Sequence, residues 1–189
     1  MIAQANRWLL VGLGNPGSEY EGSRHNVGRD FLAAFEKSAQ GRSALGGKIL
    51  VPDTYMNNSG LAVKKFVGLN PSGKTLEHLV VLHDDLDLPL GKVKLSFGSG
   101  SGGHKGVESV QKALKTKDFV RVRIGISRET PGGKLKKPKG EDEVVAFVLG
   151  KFKPSEQEKL KKAKKIVGEA LEILLAEGLP KATTLTNGR

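Results

Sequence analysis

Short apolar runs, each stopped by glycine, proline, asparagine or aspartate, alternate along this chain with segments of helical periodicity, and that alternation leaves few folds open. The runs at 8–13, 48–52 and 79–83 have strand length and turn residues at their ends, so they read as buried strands. Phe119-Val120-Arg121-Val122-Arg123-Ile124-Gly125-Ile126 alternates with period two, which puts Val120, Val122, Ile124 and Ile126 on one face and Arg121 and Arg123 on the other. Lys92 to Phe97 does the same with Val93, Leu95 and Phe97. Between these strands, Val27, Phe31 and Phe35, then Val107, Val110 and Leu114, recur at helical spacing. Lys153-Pro154-Ser155-Glu156 opens a longer helix with Leu160, Ala163, Val167, Ala170, Leu171 and Leu174 as its apolar stripe, and Gly178 followed by Pro180 marks its end. The expected architecture is a single α/β domain over residues 1–189: a mixed, largely parallel twisted sheet with helices on both faces. The stretch 129–143, rich in lysine, glycine and proline, reads as a mobile basic loop within that domain.

Charge narrows the partners. The 31 Lys and Arg against 20 Asp and Glu give a net charge of +11, the footprint of a protein that meets a polyanion, although a solvated basic surface carries the same signature. Lys159, Lys161, Lys162, Lys164 and Lys165 crowd the first half of the long helix, mostly toward solvent. The absence of cysteine excludes disulfides and thiolate metal sites. No apolar stretch approaches the ~20 residues of a membrane span, and Met1 to Arg7 is too short and polar for a signal peptide.

Gly12-Leu13-Gly14-Asn15-Pro16-Gly17 follows the first strand with the glycine spacing of a dinucleotide-binding turn. That reading needs a helix opening inside the motif and an acid at a strand end about 20 residues on. Gly22 and Ser23 interrupt any such helix, Lys37 stands where the acid is required, and the next strand ends only at Asp53. The turn therefore reads as a site-forming turn that presents Asn15, not as a cofactor cradle.

Other loops converge on it. His25 lies in Arg24-His25-Asn26-Val27-Gly28 close to the Asn15 turn, and Thr54-Tyr55-Met56-Asn57-Asn58-Ser59-Gly60 follows the second strand, with Ser59 placed to cap a helix. His83-Asp84-Asp85-Leu86-Asp87 follows the third strand, and a glycine-rich loop from Gly98 to Gly106 carries His104 and Lys105. Parallel strands deliver Asn15, Asn57 and Asp84 to one edge of the sheet. Asparagines serve turns, and the three aspartates suit loop caps or a hard-metal site, so each residue alone has a plain structural role. Histidine and aspartate at matched strand ends go beyond turn chemistry. A neutral histidine oriented by a carboxylate takes a proton from water, and asparagine amides hold a peptide backbone. No Ser or Cys occupies a nucleophile elbow, so direct attack by water on an ester or amide is the expected route.

Gly14-Asn15-Pro16-Gly17 with Tyr20, Arg24 to Gly28, Thr54 to Gly60, His83-Asp84-Asp85-Leu86-Asp87-Leu88-Pro89-Leu90-Gly91 and Gly102-Gly103-His104-Lys105-Gly106 together resemble the bacterial-type peptidyl-tRNA hydrolase family, as do Arg121 to Ile126 and Val145 to Gly150 further on. The resemblance covers residues 8 to about 183 in unbroken order. It implies hydrolysis of the ester between a peptide and the tRNA 3′ ribose, in a monomer without cofactor or metal, with His25 as general base and Asp84 as its orienting carboxylate. It further implies that Asn15 and Asn57 hold the peptide main chain, that Tyr20 and Met56 line the groove, that His104 and Lys105 border the substrate, and that Arg123 meets a tRNA phosphate.

Three departures stand out. Lys105 replaces the asparagine of the family's Gly-Gly-His-Asn-Gly, which removes an amide and brings in an ammonium. Ser96 stands where the family has a phosphate-binding lysine, and Lys94, two residues earlier on the same strand face, substitutes for it. The stretch from Phe35 to Lys48 is shorter than usual, and the basic 129–143 loop is longer. The alternative is a non-catalytic RNA-binding protein on the same scaffold, like a chloroplast splicing factor related to this family. A cytoplasmic location is expected, or a mitochondrial one in a eukaryote.

Overall fold

Leu9, Leu10 and Val11 become the core of β1 (Leu9–Gly12), which is buried along its whole length because parallel strands flank it on both sides. The computed structural model describes residues 8–38, 48–69 and 76–189. Its other strands are β2 (Lys48–Leu50), β3 (Leu79–Pro89), β4 (Val93–Phe97), β5 (Val120–Glu129) and the short β6 (Leu135–Lys136). The sheet order is β2-β1-β3-β5-β4, with β6 paired to β5. β4 and β6 run antiparallel to β5, and every other pairing is parallel.

Both faces are covered, which is why the inner strands read as continuous apolar runs. Leu10, Val80, Leu82, Val120 and Val122 pack under α1 (Val27–Lys37) and α5 (Gln157–Glu177). Leu9, Val11, Val81 and Phe119 pack under α2 (Ser59–Gly68) and α3 (Lys105–Leu114). The helical stripes predicted from Phe31 and Phe35, from Val107 and Val110, and from Leu160 to Leu174 are all buried.

Several boundaries differ from expectation. The third strand does not stop at His83 but continues to Pro89, so His83, Asp84 and Asp85 lie within β3. Their pairing with Arg123, Ile124 and Gly125 of β5 holds the backbone extended before an irregularity between Asp85 and Pro89. Gly178 (φ 86°) does end α5, yet Pro180 sits in the first turn of a further helix, α6 (Leu179–Asn187). Proline at a helix start and proline after a helix end are the same signal in sequence. Through its Asn187 side chain, α6 accepts from the Leu95 amide (2.7 Å) and donates to the Leu95 carbonyl (2.9 Å), as a neighbouring strand would.

Ser59 caps nothing. A 3₁₀ turn, Met56–Asn58, precedes α2, the Ser59 hydroxyl is buried without a partner, and Ser109 of α3 accepts the Gly60 amide at 2.9 Å. Phe97, expected on the apolar face of β4, is 43% exposed at the strand's end. The basic segment is narrower than expected: β5 runs to Glu129, β6 turns back on it, and α4 (Glu141–Leu149) begins at Glu141. The shortened stretch between Phe35 and Lys48 falls largely outside the described residues.

Candidate active site

Gly12 at the end of β1 and Gly28 at the start of α1 serve packing. A side chain at Gly12 would come within 2.8 Å of the Gly28 carbonyl, and one at Gly28 would strike the Leu82 backbone, so bare backbones let the start of α1 sit directly on β1 and β3. That approach delivers the 3₁₀ turn Arg24–Asn26 to the carboxyl edge of the sheet.

Asn26 fixes the Asn15 turn. Its Oδ1 accepts the Asn15 amide at 2.8 Å and its Nδ2 donates to the Asn15 carbonyl at 2.9 Å. The Asn15 side chain is oriented in turn, because its Oδ1 accepts the Met56 amide at 2.8 Å. The Nδ2 of Asn15 is therefore the group left to act as a donor.

His25 donates from Nδ1 to Asp84 Oδ1 at 2.9 Å, and the residue is 9% exposed. In the neutral tautomer this leaves Nε2 without a proton and basic. Burial opposes protonation of His25, but the charge of Asp84 and the hydrogen bond to it outweigh burial and raise its pKa. Burial would push Asp84 up, yet the neighbouring imidazoles hold it well below the usual carboxylate range.

His104 meets the same carboxylate oxygen at 2.8 Å through Nε2. Its Nδ1 caps α3 by accepting the amides of Gly106 (3.1 Å) and Val107 (3.2 Å). An Nδ1 that accepts two N–H groups carries no proton, so the proton must be on Nε2 and His104 is a fixed donor to Asp84. His83, fully buried behind it, donates from Nδ1 to the Asp84 carbonyl at 2.6 Å and packs edge-on against the His104 ring. Burial first, then the nearness of His104 and the Arg121 guanidinium, push its pKa well down.

The ligand atoms of His25, Asp84 and His104 lie within 4.8 Å of one another, which raises the question of a metal. The donor chemistry does not fit one. For His104 to offer a lone pair from Nε2, its proton would have to move to Nδ1, where two backbone N–H groups already point.

Two cavities meet at His25. One, about 420 Å³, is lined by Asn15, Tyr55, Met56, Asn57, Lys105 and Leu149 among others. The other, about 250 Å³, is bounded by Asp84, Asp85, Leu86, the loop Ser101 to His104 and α4. Lys105, Val145 and Val148 border both. Lys105 is exposed and faces Glu141 at 3.7 Å. Tyr20 is not in the cavity wall; it packs edge-on against Tyr55, which is.

Arg24, beside the histidine, was missed as a structural element of the site. It is 4% exposed, donates to the Gly150 and Lys151 carbonyls at 3.0 and 2.8 Å, pairs with Glu156 at 2.9 Å, and lies over the rings of Phe147 and Phe152. Glu156 also binds Arg128 at 3.0 Å. This cluster pins the end of α4, the wall of both cavities, to the turn carrying His25. Its only sequence signal was adjacency to His25.

Arg123 is half-buried and donates from Nε to Asp85 Oδ2 at 2.6 Å. Lys94 stands directly opposite it across the β4–β5 pair, and Ser96 stands opposite Arg121, as the shared strand face predicts. Arg121 itself is buried and donates to the Ser99 hydroxyl at 2.7 Å, anchoring the glycine-rich loop.

Fold and site together define an α/β protein with a carboxylate-oriented histidine at the carboxyl edge of a mainly parallel sheet, open to a cleft lined by asparagines. The sequence profile of the family described as peptidyl-tRNA hydrolase matches residues 9–189. The chain belongs to the peptidyl-tRNA hydrolase family. It is 39% identical to the peptidyl-tRNA hydrolase of Pseudarthrobacter chlorophenolicus over 93% of this chain and 92% of that one. It is 40% identical to the chloroplastic peptidyl-tRNA hydrolase of Arabidopsis thaliana over 96% of this chain and 65% of that one. The crystal structure of peptidyl-tRNA hydrolase from Acinetobacter baumannii superposes with a TM-score of 0.76 at 29% identity, covering 97% of this chain and 95% of that one. Among the described residues no helix is long and apolar enough to cross a membrane.

Proposed function

We propose that this chain hydrolyses the ester joining a peptide, or an N-blocked aminoacyl group, to the 3′ end of tRNA, returning reusable tRNA from stalled or abandoned synthesis. The observation that carries the reading is the His25–Asp84 hydrogen bond of 2.9 Å at the junction of two cavities. Membership in the family supports the substrate class.

The hydrogen bonds support the following steps. With Nδ1 tied to Asp84, His25 takes a proton from water at Nε2 as the water oxygen attacks the ester carbonyl carbon. Asp84 stabilises the imidazolium that forms, and it keeps its own charge because two histidines face it. When the carbonyl re-forms, the bond to the ribose 3′ oxygen breaks and the imidazolium returns its proton to that oxygen. Asn15, with Nδ2 as donor, and Asn57 hold the peptide main chain, with Met56 and Tyr55 along the groove and Tyr20 behind Tyr55. Arg123 and Lys94 meet a tRNA phosphate, His104 holds Asp84 in place, and Lys105 borders the scissile ester. The chain acts as a cytoplasmic monomer without a cofactor.

Deacylation of N-acetyl-aminoacyl-tRNA tests this. The wild type releases the acyl group and largely spares free aminoacyl-tRNA, and His25→Ala loses about 10²–10⁴ in rate. RNA binding with no hydrolysis by the wild type would overturn the reading in favour of a non-catalytic RNA-binding role.

A further inference from the structure

Two carboxylates beyond Asp84 on β3 take no part in these steps, and on charge alone they are misplaced. Asp85 is 8% exposed, borders the smaller cavity and adjoins the face where a polyanion is expected. Its two oxygens are both engaged: Oδ2 accepts Arg123 Nε at 2.6 Å, and Oδ1 accepts the Asp87 amide at 2.7 Å. Asp87, at the surface, receives Lys137 from the basic hairpin beyond β5. Acids on β3 thus tie two cations, one from β5 and one from the hairpin, to the strand that carries the catalytic carboxylate.

We propose that Asp85 is a positioning residue for tRNA: by holding Arg123 through Nε it presents the guanidinium's two terminal amino groups to one acceptor-end phosphate, at a fixed offset from Asp84. The inference rests on the reading of Arg123 as a phosphate contact. Among the described residues the bond to Asp85 is the hydrogen bond Arg123 makes, so Nη1 and Nη2 keep their donors for a ligand. Arginine suits this because its rigid planar fork can bind a carboxylate at one edge and a phosphate at another, which a lysine ammonium cannot do with defined geometry. Because Asp85 and Asp84 are consecutive in β3, and Arg123 is paired to His83 in register, the phosphate contact and the ester-cleaving groups belong to one rigid ladder.

The test reads KM and kcat for N-acetyl-aminoacyl-tRNA across a salt series in wild type, Asp85→Asn, Arg123→Ala, Arg123→Lys and the Asp85→Asn/Arg123→Ala double variant, with thermal melts on each. Simple electrostatics predicts that Asp85→Asn, by removing a negative charge, lowers KM. The proposal predicts the opposite: KM rises about tenfold, the scale of one lost charged hydrogen bond, while kcat changes little. Arg123→Lys, which keeps the charge but loses the Nε bond, raises KM similarly. Arg123→Ala raises KM and flattens the salt slope by about one unit. In the Arg123→Ala background, Asp85→Asn has no further effect on KM, because the pair is one unit. A fall or no change in KM for Asp85→Asn and Arg123→Lys overturns the proposal while leaving Arg123 as a phosphate contact. An equal rise in both backgrounds overturns it as well, because Asp85 then acts elsewhere. No effect of Arg123→Ala on KM or slope removes the phosphate reading itself, and the proposal with it.

Discussion

His25 and His104 share a single oxygen of Asp84, at 2.9 and 2.8 Å, but from opposite kinds of ring nitrogen. His25 reaches it through Nδ1 and keeps Nε2 for chemistry. His104 reaches it through Nε2 because its Nδ1 is committed to the first turn of α3. One imidazole is therefore free to accept a proton, and the other is held by the helix as a permanent donor.

The pH profile of Asp84→Asn follows from this. Asp84 is the group that raises the His25 pKa against the pull of burial. In the proposed mechanism the base is active when neutral, so activity in the wild type is expected to fall as pH drops through that raised value. Without the carboxylate the His25 pKa falls, so the acid limb of kcat/KM moves to lower pH even as the plateau drops by about 10²–10⁴. A pH–rate series on both proteins checks it, and an unmoved acid limb would mean that another group titrates there.

The Asn26 side chain bonds the backbone of Asn15, not its side chain, yet Asn26→Asp is expected to lower kcat/KM by about 10²-fold, the cost of misplacing by roughly an ångström the group proposed to hold the substrate. The aspartate can still accept the Asn15 amide but sets a second oxygen against its carbonyl. Steady-state kinetics on N-acetyl-aminoacyl-tRNA, together with a melt showing a folded protein, measure this.

Lys105→Asn is expected to raise turnover at saturating substrate while leaving the melting temperature nearly unchanged. Lys105 borders both cavities at His25, where the proposed mechanism forms an imidazolium, so its ammonium would oppose that charge. Its contact with Glu141 at 3.7 Å is exposed, and such pairs contribute about 0–1 kcal/mol. Kinetics and calorimetry on the same preparation separate the two effects.

Glu156→Gln is expected to destabilise the fold by about 3 kcal/mol, because Arg24 is left buried without its counter-charge. At about 2–4 °C per kcal/mol that lowers the melting temperature by roughly 6–12 °C. Burial raises the Glu156 pKa, but the Lys153 amide and the two arginines more than compensate and lower it. A depressed carboxylate pKa gives stability that is present above the unfolded value and lost as pH falls through the folded one. The gap between variant and wild type should therefore close as the melts are taken to acid pH.

What the chain disclosed on its own was the part of the site that is local. Asn15, His25, Asn57 and Asp84 each stand beside a strand or turn whose pattern is legible, and a parallel sheet gathers them without further information. What stayed hidden depends on partners far along the chain. The five polar-rich residues from His83 to Asp87 read as a loop because buried acids contradict a strand pattern. The groups that reconcile them with burial, His25, His104 and Arg123, lie 59, 20 and 38 residues from Asp84 or Asp85. Arg24 was hidden for the same reason, its partner Glu156 being 132 residues away. Gly178 and Pro180 do mark the end of the long helix, but the helix that follows was not legible because a proline after one helix end is also a proline at the next helix start.

The Asn187 amide that mimics a neighbouring strand for Leu95 has a consequence for synthesis and solubility. β4 closes one side of the sheet's main path, and an uncovered strand margin is a template for pairing with another molecule. Asn187 lies 92 residues beyond Leu95, so a growing chain carries that margin bare until those residues have followed it out of the ribosome. Until then the nascent protein is open to cross-chain association along β4, and α6 is the helix that shuts the opening.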